Sequence, residues 1–430
     1  MKDFATSPDP AVQAQLDRLA KLSLPQGRFG LETIRALLAR LDDPQKRLPP
    51  AFHVAGTNGK GSTCAYLRGM LEAGGLTVHA ATKPHLVRYN ERIRIAGDLI
   101  SDAELAARLK HVLDAGEDLG PSFFEVTTAA TLLAFAETPA DACVIEVGLG
   151  GRFDATNVLD HPAACGIASL GIDHEAFLLV PEEGTPDEPL ARIAFEKAGI
   201  VRPSRPLVTQ AYPEGAKLEV ERAALTAGAP LHMRGRDWSA HIGASIEYED
   251  RHGRLALPLP TLAGGHQADN AALAVAMLRH QDYVTVGVEA MGQGIRAARW
   301  PARLQRLGTG PLAALVAGRE VWLDGGHNPD AGAAIARHFD QPLHVVIGML
   351  AAKNPRAIVY PLESRIVSLS VVPVPASESH SAQAFGATAR AFDSVQDALR
   401  AIPADGLPIL IAGSLYLAGA VLAENGELPD

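Results

Sequence analysis

Lys60 is the first residue whose setting points to chemistry, in the run His53-Val54-Ala55-Gly56-Thr57-Asn58-Gly59-Lys60-Gly61-Ser62. The run reads as an apolar strand, a glycine-rich turn with one lysine, and a helix beginning near Ser62. Glycines admit positive φ angles and let a ligand approach the backbone closely. Successive N–H groups of such a turn form an anion nest, to which the helix N-terminus adds about half a positive charge. Lys60 adds a full charge suited to β- and γ-phosphates, and the Ser62 hydroxyl can reach a phosphate-bound Mg2+. The spacing differs from the common G-x-x-x-x-G-K-[ST], because Gly61 separates Lys60 from Ser62. A structural strand-to-helix turn is the alternative, and a nucleoside triphosphate site is the stronger reading.

Other chemistry-bearing residues lie at the ends of apolar runs. Glu146 closes the run 142–147, where a carboxylate can face the phosphate loop. His174, in Gly171-Ile172-Asp173-His174, follows the run 165–170. Lys197 lies near the end of a helix that Gly199 would terminate, and on its residues alone it reads as complementing the helix dipole. Asn270 opens a predicted helix and suits a capping role. The Phe123 and Phe124 rings could pack on a flat heterocycle or in the core.

Strand-like runs at 52–55, 77–81, 142–147 and 165–170 alternate with helical patterns after Ser62 and over 102–114 and 126–137. Continuous rather than alternating apolar strands imply a parallel sheet covered on both faces. Ligands gather outside the carboxyl ends of such strands, so the phosphate loop, Glu146 and His174 should converge there. Residues 231–260 break the rhythm: 241–250 and 254–257 predict a small antiparallel patch turning at Gly253. Helices are expected at 269–279 and 286–298, and Trp300-Pro301 reads as a hinge. Beyond it, strands at 320–323, 344–347, 365–369 and 409–412 again alternate with helices. The domains expected are therefore 1–300 and 301–430. Residues 181–189, with four acidic residues and a glycine, are expected to form a mobile loop.

The composition excludes several classes. A formal net charge of −10 offers no broad basic face for nucleic acid. Cys64, Cys143 and Cys165 show no metal spacing and lie in apolar or small-residue contexts, as reduced core thiols would. The N-terminus, Met1-Lys2-Asp3-Phe4-Ala5-Thr6, has no signal-peptide core. The stretch 409–423 is too short for a membrane span and reads as strand, turn and a helix capped by Ser414. A cytoplasmic protein without a membrane partner is expected.

Together the motifs resemble the folylpolyglutamate synthases, including the bacterial dihydrofolate synthase/folylpolyglutamate synthase enzymes of the Mur-ligase superfamily. The resemblance runs from Gly27-Arg28-Phe29-Gly30-Leu31 to Gly413-Ser414-Leu415-Tyr416. Its markers are G-T-N-G-K-G-S at 56–62, P-H-L-V-R-Y-N-E-R-I at 84–93, F-F-E at 123–125, E-V-G-L-G-G-R-F-D-A-T-N at 146–157, E-K-A-G-I at 196–200 and D-G-G-H-N-P at 324–329. It implies a two-domain, Mur-ligase-like α/β fold: a P-loop parallel-sheet ATPase domain and a smaller C-terminal Rossmann-like domain. The implied reaction joins L-glutamate to dihydropteroate or to the γ-carboxylate of a reduced folyl-glutamate, with ATP and Mg2+, through an acyl phosphate.

The resemblance also implies residue roles. Gly56, Thr57, Asn58, Gly59, Lys60, Gly61 and Ser62 would hold ATP, with Asn270, Arg303 and Asp324 contacting the nucleotide. Ser62, Glu146 and His174 would bind Mg2+, and Lys197 would be carbamylated beside the metals. His327 and Ser414 match positions near the glutamate or acyl-phosphate side. Ser122, Phe123, Phe124, Glu125, Phe153, Asp154 and Ala155 match the pterin pocket of the dual-activity enzymes.

Two departures stand out. Lys83 occupies the place of a serine that helps bind Mg2+ in the family, and Ala176-Phe177-Leu178-Leu179 replaces an acidic residue and a Leu-Gly pair. They motivate a rival reading, a nucleotide-binding homologue impaired in catalysis. A second rival is another amide ligase of the superfamily, such as a muramyl peptide ligase. Those carry a UDP-binding domain before the phosphate loop, and the roughly 50 residues here are too few for one.

Overall fold

The computed structural model describes residues 6–22 and 30–429. Met1 to Ala5, and Gly27, Arg28 and Phe29 of the first family motif, lie outside the described residues. The chain divides into two compact units, Met1–Thr261 with Ala268–Ala298, and Leu262–Gln267 with Arg299–Asp430.

The first unit is built on eight strands: β1 (Ala51–Ala55), β2 (Val78–Ala81), β3 (Ile93–Ile95), β4 (Asp98–Leu99), β5 (Ala142–Glu146), β6 (Ala164–Ile167), β7 (Leu207–Thr209) and β8 (Leu231–Met233). Their order is β4-β3-β2-β5-β1-β6-β7-β8. β2, β5, β1, β6, β7 and β8 pair in parallel, and β3 and β4 add an antiparallel edge. Every residue of β1, β2, β5 and β6 is buried, as unbroken apolar strands require when both faces are covered. Chain order reverses around β1, which lies between β5 and β6, so the crevice at their carboxyl ends is where such a sheet binds ligands.

The predicted elements hold with local differences. The helix after the phosphate loop starts at Lys60, with Gly59 before it at φ +83. The strand predicted over 165–170 ends at Ile167, because the Ser169 carbonyl turns to accept the Thr57 N–H at 2.7 Å. The helix predicted from Val126 begins at Phe123, since Ser122 and Glu125 form a reciprocal capping box. The stretch 241–250 is two strands, β9 (Trp238–Ile242) and β10 (Ile246–Asp250), broken by the turn that returns β10 onto β9; β11 (Gly253–Leu257) completes the antiparallel sheet.

The second unit has β12 (Gln305–Arg306), β13 (Val321–Asp324), β14 (Leu343–Ile347), β15 (Ile366–Val371), β16 (Arg390–Ala391) and β17 (Ile409–Ala412), ordered β12-β13-β17-β14-β15-β16. All pairs except β12–β13 are parallel. Ser414 caps the helix Leu415–Asn425, accepting the Tyr416 N–H. The three cysteines are free and buried. Among the described residues no helix is long and apolar enough to cross a membrane.

Candidate functional site

The loop after β1 is held open by its glycines. Gly56 has φ +148, and a Cβ there would come within 2.9 Å of the Ala168 Cβ. Gly59, at φ +83, faces Asn270, whose Oδ1 would be 2.4 Å from an added Cβ. The loop is fastened to the segment after β6: Thr57 Oγ1 donates to the Gly171 carbonyl at 2.9 Å and accepts the Gly171 N–H at 3.1 Å, while Ser169 Oγ donates to the Asn58 carbonyl. Lys60 Nζ donates to the Gly56 and Thr57 carbonyls at 2.9 and 3.1 Å. Ser62 lies buried in the first turn of the helix Lys60–Ala73.

A cavity joins this loop to three other motifs. It is lined by Gly56, Thr57 and Lys60, by Val147, Gly148, Leu149 and Gly150, by Asp173 and His174, and by Lys197. The family motifs at 56–62, 146–157 and 196–200 thus meet at the carboxyl ends of β1, β5 and β6. Lys197 is buried and donates to the Gly56 carbonyl at 2.9 Å. Burial, with Lys60 nearby, pushes its amine down to about 7. Asp173 lines the same cavity, a position not singled out among the expected site residues. Its signal was the Asp-His pair following a buried strand.

Glu146 is buried at the end of β5, and its Oε2 accepts the Lys83 N–H at 2.9 Å. His174 sits at φ +55 before a short helix, its N–H donated to Asp173 Oδ1 at 2.7 Å. The three residues expected at the metal offer donor types suited to Mg2+, a carboxylate, a serine hydroxyl and one imidazole, and of them His174 lines the cavity. Among the described residues no three His, Cys, Asp or Glu side chains are gathered to hold an ion by themselves. Phosphate and water oxygens would complete such a shell.

Lys83 is half-buried. Its side chain runs beside Gly148, where an added Cβ would lie 3.7 Å from Nζ. Burial lowers its amine from the ordinary value; Asp154 and Glu146 oppose that, and Arg92 adds to it. Asp154 accepts the Gly148 and Leu149 N–H groups at 3.0 and 2.8 Å on one oxygen, and the Thr156 N–H and hydroxyl on the other. It therefore builds the glycine-rich loop whatever else it touches.

Ser122 and Glu125 are occupied in the capping box. Phe123 packs edge-on against Tyr89 and Phe124, with the Arg92 guanidinium 5.5 Å from its ring. Phe153 lies under the Arg152 guanidinium at 4.2 Å, and Ala155 is buried. Asn270 is the fifth residue of the helix His266–Arg279 and not its cap, because that helix starts three residues before the start expected at 269.

In the second unit the expected residues also gather at strand ends. Asp324 closes β13, accepts the Gly326 N–H at 2.6 Å and the Leu304 N–H at 2.8 Å, and so braces the turn that carries Arg303. Ala302 and Leu304, on either side of Arg303, both have positive φ. His327 Nδ1 is 3.0 Å from the Gly325 carbonyl. Asp324 is in register with Ala412 of β17, two residues before Ser414.

No family model matches the chain. It is 34% identical over 416 residues to a folylpolyglutamate synthase of Lacticaseibacillus casei, covering 90% of this chain and 92% of that one. Among solved structures it is similar to a bifunctional folylpolyglutamate synthase/dihydrofolate synthase with Mn, AMPPNP and L-glutamate bound, at a TM-score of 0.83 and 31% identity over 98% of this chain and 99% of that one. It is likewise similar to Escherichia coli FolC in complex with DHPP and ADP, at a TM-score of 0.84 and 30% identity over 97% of each chain.

Proposed function

Because the chain belongs to the folylpolyglutamate synthase family, an ATP-dependent ligase family, we propose that it joins L-glutamate both to dihydropteroate and to folyl-glutamates. The observation that carries this reading is the single cavity in which Lys60, His174, Lys197 and the glycines after Glu146 meet. The nucleotide, metal, glutamate and DHPP named for the two similar structures support the same substrate set.

The γ-phosphoryl group of ATP passes to the acceptor carboxylate, the glutamate amine attacks the acyl phosphate, and phosphate leaves as the amide forms. No protein nucleophile is required. Lys60 exchanges its loop carbonyls for phosphate oxygens, and the N–H groups of residues 56–61 stabilise the charge spread over the transferring phosphoryl. Ser62, Glu146 and His174 would hold Mg2+, which when bound neutralises phosphate charge. Asn270 borders the phosphate loop, and the nucleotide roles of Arg303 and Asp324 rest on their match to family positions. Lys197, with an amine neutral for much of the time near pH 7, is chemically suited to carbamylation, which would convert a buried cation into a carboxylate. His327 and Ser414 serve the glutamate side, and Phe123, Phe124, Phe153, Asp154 and Ala155 the pterin side.

Phosphate release decides between this reading and a nucleotide-binding homologue without catalysis. Release that requires ATP, dihydropteroate and L-glutamate together supports ligation, and repeating the assay with a reduced folyl-glutamate tests the second activity. Nucleotide binding without acceptor-dependent phosphate release would overturn it.

A further inference from the structure

The segment between His174 and the helix Pro189–Ala198, which includes most of the mobile loop expected at 181–189, is fastened at its centre. Glu182 Oε2 accepts Arg152 Nη2 at 2.6 Å and lies 3.4 Å from Arg192 Nη2. The same two guanidinium groups hold Glu196, Arg152 at 2.8 Å and Arg192 at 3.1 Å. Glu196 and Arg192 are almost fully buried, whereas Arg152 and Glu182 keep about a fifth of their side-chain surface. The quartet is neutral, with each carboxylate shared by both cations. Arg152 belongs to the glycine-rich loop after Glu146, and its own N–H donates to the Glu196 carbonyl at 2.8 Å. Leu178 makes a second fastening, close enough to Gly150 that an added Cβ would meet it at 3.0 Å. Glu188 closes the segment by capping the helix that carries Lys197.

We propose that Glu182 is a positioning residue: clamped between Arg152 and Arg192, it fastens residues 172–188 as a strap across the glycine-rich loop and fixes where Asp173 and His174 face the cavity. The clamp links three cavity-lining segments through one carboxylate. Glu196 is anchored by its own helix, and both arginines keep it as a partner, so loss of Glu182 frees the strap while leaving that helix held. The strap then keeps Leu178 against Gly150, an apolar contact that does not fix the direction of a loop. A displaced strap carries His174 with it and leaves the phosphate loop, fastened independently through Thr57 and Ser169, in place. The functional consequence rests on His174 facing the metal in the reading above; the clamp itself does not.

The test uses the full-length protein and Glu182→Gln, which keeps the shape and removes the charge, with Glu182→Asp as the conservative control. Hydrogen exchange of residues 172–180 should be about tenfold faster in Glu182→Gln, the effect of losing one charge-assisted contact from a local opening equilibrium. The Mn2+ dissociation constant, read by electron paramagnetic resonance with a non-hydrolysable ATP analogue, should rise about three- to tenfold. Metal-free nucleotide affinity should not change, and Glu182→Asp should recover part of both effects. Unchanged exchange in 172–180 overturns the proposal; faster exchange with unchanged Mn2+ affinity supports the clamp and overturns the placing of His174 at the metal. Neither readout needs glutamate turnover, so a protein that shows the clamp but forms no amide would sink the ligase reading and leave the clamp standing.

Discussion

Lys60 folds back onto two carbonyls of its own loop, so the site's principal cation is already aimed into the space a phosphate would fill. Lys60→Ala should lower turnover by about 10²–10³, or roughly 3–4 kcal/mol of transition-state stabilisation, and leave the melting temperature nearly unchanged. Folded variant with near-parental turnover would remove Lys60 from the mechanism. Lys83 tests the opposite situation, a cation where the family places a metal-binding hydroxyl. An ammonium offers Mg2+ no acceptor and repels it, although its stem lets it supply one positive charge nearby. Lys83→Ser should therefore lower the Mg2+ concentration needed for half-maximal turnover at saturating ATP, and Lys83→Ala should not; superimposable titrations of the three proteins would reject the idea. Both lysines were legible in the sequence because their neighbours form motifs. Glu182 was not: an acidic residue among four reads as solvated until the fold brings Arg152 and Arg192 to it.

At the scale of elements, the phosphate loop shows why a motif can be read where a boundary cannot. Gly56 is required because its φ of +148 and the closeness of Ala168 leave no room for a side chain. Gly56→Ala should distort the loop at a cost of about 1–3 kcal/mol and weaken ATP binding more than it lowers thermal stability, measured by calorimetric titration beside a melting curve. The helix Phe123–Glu137 starts three residues before the apolar pattern at 126 announces it, because Ser122 and Glu125 form the S-x-x-E capping box and place Phe123-Phe124 in its first turn. That gives Ser122 two readings with different outcomes. As a cap, Ser122→Ala should cost about 1 kcal/mol of stability, seen as a lowered denaturation midpoint. A shift in the Michaelis constant for dihydropteroate with an unchanged midpoint would instead make it a substrate contact. The break between β9 and β10 was missed for a different reason, since Gly243-Ala244-Ser245 turns without interrupting a run that is mixed in polarity throughout.

Over the whole molecule, the alternation of apolar strands and helices made two α/β units readable, but not which distant side chains those units bury together. His232 and His280 stack face to face at 4.0 Å, with His252 tilted against His280 at 5.5 Å. Burial, reinforced by His232, pushes His280 down to about 4, against the pull of Asp250. Burial likewise lowers His53 to about 3, with Arg202 and Lys83 adding to it and Asp154 opposing, and His85 to about 3 beside Arg92. All three stay neutral in the folded chain at pH values where the unfolded chain takes up protons near its ordinary value of 6.5. The unfolded state thus binds more protons between about 6.5 and 4, and stability must fall as pH falls through that window. Each group contributes a slope of up to about 1.4 kcal/mol per pH unit. Asp250, held near 2 by Arg279 although burial works against it, extends the loss below pH 3.8 with the same sign. Urea midpoints measured from pH 8 to pH 4 should be flat above about 7 and decline steeply below 6. His280→Phe, which keeps an aromatic ring on His232 and removes the titrating nitrogen atoms, should reduce that slope by about one proton's worth. A variant whose midpoints decline in parallel with the parent would place the acid sensitivity elsewhere in the chain.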